Sequence, residues 1–238
     1  MSTSDKRTLV WDLPTRAFHW LLALSFACAY LTAESERLRD VHMLLGYTTL
    51  GLVGFRLLWG VVGTRYARFT ALPLSPKAVV GYLKSLLTVS PRHYFGHNPA
   101  GSWAIIGMLL LIAAIGVTGW TQAVEIGPKW LEDLHEGLAN ATLALVGVHV
   151  AAVFISSALH RENLVGAMLT GYKSGHGPAA SGTRWFVALV LTGVIGAFWA
   201  GAIPAPGIES GQSLVQAAVK RGTPQLAERA GGRRHDED

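Results

Sequence analysis

Apolar residues gather in five runs, at 17–33, 41–63, 102–124, 134–159 and 185–203, and most of the charge falls between them. A bilayer core takes about 20 apolar residues as helix, so each run predicts a membrane-spanning helix. The first run is short, but Asp12 as a cap and Pro14 in the first turn start its helix earlier. Between the second and third runs, residues 76–90 put Lys77, Gly81, Lys84 and Thr88 on one helical face and Val79, Tyr82, Leu83 and Leu86 on the other. That pattern predicts a short amphipathic helix on the membrane surface. The pattern as a whole predicts an all-α membrane protein: a four-helix transmembrane bundle over 17–173, a fifth transmembrane helix at 185–203, and a flexible tail over 204–238. The tail is rich in Pro, Gly, Gln and mixed charge, and it carries one short helix at 212–220.

Composition supports this class. Half of the residues are hydrophobic, 15% are charged and eight are Trp, which is extreme for a soluble domain of this length. The net charge of +5 is spread between the runs and forms no basic cluster interleaved with aromatics, which excludes nucleic acid as a partner. The single cysteine, Cys28, excludes an internal disulfide, and without a CxxCH motif haem cannot be attached covalently. Lys6, Arg7 and Arg16 before the first run resemble a secretory signal, but cleavage would discard His19, so residues 1–16 are read as a retained N-terminus.

Charge sets the orientation. Residues 64–101 hold Arg65, Arg68, Lys77, Lys84 and Arg92 with no acid, and residues 160–184 also favour base. The positive-inside rule then puts the N-terminus and these two loops in the cytoplasm. The opposite loops carry seven acids, Glu34, Glu36, Asp40, Glu125, Glu132, Asp133 and Glu136, against Arg37, Arg39 and Lys129. Such a face attracts a cationic carrier such as a basic cytochrome c and repels an anion.

With the topology fixed, four intramembrane histidines acquire depths. His135 and His149 share the fourth helix; 14 residues turn it to within about 40° of four full turns and raise it about 21 Å, so both face one way. His42 begins the second helix at the outer level with His135, and His19 begins the first at the inner level with His149. Two histidines at one level on facing helices suit b-type haem, which takes two axial nitrogens and lies between apolar helices. Zinc asks for four ligands and neither level has four, whereas a proton relay ordinarily adds Asp or Glu, which the interiors of the spans lack. Between the two histidines the fourth helix presents Leu138, Ala139, Thr142, Leu145 and Val146, and Gly46, Gly51 and Gly137 are small enough to admit a large cofactor. Arg56 lies 14 residues after His42, near the inner level, and a haem propionate is its natural anion. His93, His97, His160, His176 and His235 fall outside the spans and read as solvated, apart from His160, which with Arg161 is placed to meet a quinone head group or a propionate.

These pieces also resemble a known family, the bacterial cytochrome b561 group of di-haem membrane cytochromes, which includes the b-type subunits of nickel-iron hydrogenases. The matching stretches are VWDLPTRAFHW, DVHMLLGYTTLGLVGFRLLWGVVG, GHNPAGSW, LHEGLANATLALVGVHV and LHRENLVGAMLTGYK, over residues 8–173. The resemblance implies two non-covalent haems b with His19, His42, His135 and His149 as axial iron ligands. It implies electron transfer between the quinone pool, ubiquinone included, and a redox partner such as a cytochrome c. Two alternatives come with it: a superoxide oxidase that reduces ubiquinone, which the negative outer face disfavours, and a haem-bearing anchor subunit for a hydrogenase-like oxidoreductase.

Overall fold

The structure is a computed structural model that describes residues 7–88, 92–175, 177–208, 213 and 216. Helices dominate it: α1 (Leu13–Thr32), α2 (Arg39–Val62), α3 (Pro76–Leu86), α4 (Pro99–Ala123), α5 (Trp130–His160), α6 (Leu164–Thr170) and α7 (Trp185–Trp199). Short 3-10 turns at Glu36–Leu38 and Phe69–Ala71 precede α2 and α3.

The helix starts are written locally. Asp12 accepts the Thr15 amide at 2.8 Å ahead of Pro14 in the first turn of α1. Asn98 does the same for Gly101 at 2.7 Å ahead of Pro99, and Asn163 for Gly166 at 2.6 Å. Each satisfies an amide that the helix leaves without a partner. The first turn of α5 carries Glu132 and Asp133, which suit the positive end of its dipole.

Among the described residues, three helices are long and apolar enough to cross a membrane: Glu36–Val62, Pro99–Ala123 and Trp130–His160. Of the five expected spans, the first and last fall outside that group for different reasons. The 20 residues of α1 have the length, but Arg16 and His19 dilute the apolar run, whereas α7 stops at 15 residues. Both nevertheless belong to the bundle. α1 packs along α2 and α7, α2 on α4, and α4 on α5, with α3 laid against α4. Phe18, Leu52, Val53, Leu109, Ile112 and Ile195 form the core where α1, α2, α4 and α7 meet. Trp199 ties α7 to α2 through an indole N–H to Thr48 Oγ1 at 2.8 Å.

The expected amphipathic helix is α3, with Tyr82 and Ser85 buried and Val80, Leu83 and Leu87 exposed. The helix expected at 212–220 falls outside the described residues apart from Ser213 and Gln216.

One feature has no counterpart in the apolar pattern. Strands β1 (Arg7–Leu9) and β2 (Tyr172–Ser174) pair antiparallel, Arg7 opposite Ser174 and Leu9 opposite Tyr172. The Val10 and Trp11 amides then donate to the Gly171 carbonyl at 2.8 and 3.1 Å. Val10, Trp11 and Ala167, with Tyr66, Phe95 and Met168 packed around them, make a second small core that caps the His19 end of the bundle.

Candidate functional site

The four histidines form two pairs, and the clearer geometry belongs to His42 and His135. Their ring centres are 6.2 Å apart with the planes at 70°. His42 Nδ1 donates to the Ala29 carbonyl of α1 at 2.8 Å. His135 Nδ1 lies 3.1 Å from the Ile115 carbonyl and 3.0 Å from Thr118 Oγ1, both on α4. A carbonyl only accepts, so each Nδ1 carries the ring proton and each Nε2 keeps a free lone pair. An imidazole nitrogen binds a metal at about 2 Å and sits roughly 1 Å from its own ring centre, so rings facing across one metal have centres a little over 6 Å apart. The observed pair fits that arrangement.

His19 and His149 are close enough to influence each other electrostatically. His19 stands edge-on to Trp20, ring centres 5.1 Å apart, and its Nδ1 is buried without a hydrogen-bond partner. Other unmet donors are Thr15 Oγ1, Arg16 Nε and Ser25 Oγ on α1 and Arg56 Nη1 on α2. Buried donors of this kind are costly unless something accepts from them, and a bound group with carboxylate arms fits that need.

Between the pairs, α5 is the barest of the apolar helices, with 11% of its most apolar stretch buried against 44% for α2. Its better-covered residues are His135, Leu138, Ala139, Thr142, Leu145, Val146 and His149, the face the spacing selected. Tyr30 of α1 reaches across to Asn140 Oδ1 at 2.7 Å. Gly46, one turn after His42, has nothing within 4 Å of where a Cβ would stand. Gly51 and Gly137 are equally open but sit about half a turn from the histidine on their helix, so they line its outer side and not the pair.

Arg56 is 4% exposed, and its guanidinium lies 4.7 Å from the Phe69 ring centre. The protein supplies one carboxylate that the apolar runs did not reveal. Asp12 is 1% exposed, accepts from Trp59 Nε1 at 3.2 Å and from Thr64 Oγ1 at 2.5 Å, and its charge reaches Arg56. No ion pair forms between them among the described residues, and Arg56 Nη1 remains unmet.

His97 is also not the solvated loop residue its position suggested. Its ring packs 4.6 Å from that of Trp11, and burial first, then the charges of Arg56, Lys173 and His149, push its pKa down to about 3. It is therefore neutral beside the inner pair. His93 and Lys173 both meet Glu162 Oε2, at 3.3 and 3.2 Å, and His160 stands edge-on to His93 with ring centres 5.4 Å apart. Arg161 ends α5 in a left-handed conformation, φ 51°. His176 and His235 fall outside the described residues.

Sequence reasoning missed the contribution of α4. It offers no ligand, yet Ile115, Thr118 and Gly119 seat the His135 ring, and a Cβ at Gly119 would come 3.0 Å from its Cε1. Among the described residues no three His, Cys, Asp or Glu side chains gather as a metal cage.

The profile of the family described as prokaryotic cytochrome b561 matches residues 10–171, more than half of the chain. The chain belongs to that family. The cytochrome is 22% identical over 219 residues to a protein of Cupriavidus necator named "Probable Ni/Fe-hydrogenase B-type cytochrome subunit", covering 72% of this chain and 88% of the relative. Proteins of the same name from Azotobacter vinelandii and Rhodobacter capsulatus are 26% and 22% identical. Each alignment covers 69% of this chain, and 87% and 80% of those relatives respectively. No solved structure matches the chain. Membership makes the protein a membrane cytochrome of b type, holding haem b and transferring electrons.

Proposed function

We propose that this cytochrome holds two haems b, one between His42 and His135 and one between His19 and His149, with Arg56 placed for a propionate of the second. Haem b supplies one-electron exchange without protons. The chain's part would be to hold each haem with its two histidines, keep water out through apolar helices, and keep the two centres at fixed depths through α5. The observation that carries the reading is the facing pair His42 and His135, each with Nδ1 anchored on a backbone carbonyl and Nε2 free.

The electrons pass between a redox partner at the outer face of a bacterial inner membrane and the quinone pool, with the N-terminus in the cytoplasm. The loop charges support this orientation: no acid lies between residues 64 and 101, and seven lie in the opposite loops. A redox-titrated visible spectrum of the purified protein tests the number of haems. Two resolved low-spin components are expected, and one component or none would overturn the reading.

A second reading, haem-bearing anchor for a hydrogenase-like oxidoreductase, is favoured by the names of the curated relatives. A large soluble oxidoreductase retained with the chain through gentle solubilisation supports it; a chain that purifies alone and exchanges electrons with a soluble cytochrome c opposes it.

A further inference from the structure

The two histidine pairs match in ligand type but differ in what holds their outer nitrogens. At the His42 end each Nδ1 donates to a backbone carbonyl, and His135 shares its proton between the Ile115 carbonyl and Thr118 Oγ1. The Thr118 hydroxyl can only accept there, because its own hydrogen is directed to the Ala114 and Ile115 carbonyls, each 3.0 Å away. At the His19 end neither ring makes a hydrogen bond among the described residues.

An acceptor on the far nitrogen makes an imidazole more electron-rich and a stronger donor to the metal it binds. A stronger axial donor favours the oxidised iron. We infer that Thr118 is a positioning residue that tunes the His42/His135 centre through His135, and that this centre has the lower potential of the two. The inference rests on the two-haem reading above. A lower potential at the His42 end makes transfer of one electron from that end to the His19 end favourable, with one iron oxidised and the other reduced.

The test is a redox titration of the full-length protein with both haems bound, in the wild type and in Thr118→Val, Thr118→Ser and His135→Ala. The component lost in His135→Ala is expected to be the lower-potential one. Thr118→Val keeps the shape and removes one acceptor. The reduced-to-oxidised ratio of that component at a fixed poise should rise by about 2- to 10-fold, the worth of one neutral hydrogen bond. The other component should stay in place, and Thr118→Ser should return the ratio to the wild-type value. If both haems bind and the lower component does not move in Thr118→Val, or if His135→Ala removes the higher one, the inference is wrong while the two-haem reading stands. If Thr118→Val loses haem, the same shift is read in Thr118→Ala, and an unmoved component there also overturns the inference. A wild-type protein with no haem or only one overturns the functional reading itself.

Discussion

The His42/His135 end and the His19/His149 end are alike in ligand type and unlike in construction. At the first, four helices converge: α2 and α5 carry the histidines, α1 gives the Ala29 carbonyl, α4 gives Ile115, Thr118 and Gly119, and both rings are held before any group binds. At the second, the rings are held by packing alone, and donors on His19 and Arg56 are left unmet. A preorganised ligand loses less freedom on binding, so the first end should take its haem more readily and the second should depend more on the propionate contacts.

The sharpest way to break this comparison is to remove ligands from the shared helix. His149→Ala should leave one haem per chain, His135→Ala should also leave one, and the double variant none, as read by the pyridine haemochrome assay. Next in size is Asp12→Ala, which uncaps α1 and strands the Trp59 and Thr64 donors beside a buried arginine. It should cost about 3 kcal/mol of stability and empty the His19 end first. Thermal unfolding followed by the haem spectrum would detect this.

Gly119→Ala should act at the other end only. Its Cβ forces the His135 ring back by a few tenths of an ångström, and haem affinity at that centre should fall about tenfold, measured by haem transfer to an acceptor protein. Equal loss at both ends would show that the seat is not local.

The effect confined to acid pH concerns His97. Its folded pKa is about 3, below the ordinary value of 6.5, so below pH 6.5 the unfolded chain takes up a proton that the folded one refuses. Its contribution to stability is complete above that pH and is lost as pH falls toward 3. His97→Gln should flatten the decline in melting temperature between pH 6.5 and 4, relative to wild type.

Much of the site was legible because helical periodicity is local. Fourteen residues between His135 and His149 fix their common face before any packing is known, and the same arithmetic puts Arg56 below His42. What the sequence hid is contact between distant segments. Asp12 could be read as a cap, but its bonds to Trp59 and Thr64 cross about fifty positions. His97 looked solvated because the cap that buries it needs β1 and β2 to pair, and three-residue strands more than 160 positions apart leave no periodic signal. Thr118 was invisible because a threonine in an apolar helix ordinarily bonds only its own preceding turn, which this one also does. Gly51 and Gly137 are as small as Gly46 but face about half a turn away from the histidine on their helix, and smallness alone carries no direction.

The hydrogen bonds from Val10 and Trp11 to Gly171 join residues at the two ends of the stretch that matches the family. The haem-bearing core is thus nearly circular in space, and α7 is appended to a closed body instead of completing an open one. A circularly permuted chain, with 10 and 171 linked and new termini in a surface loop between α4 and α5, should still assemble the bundle.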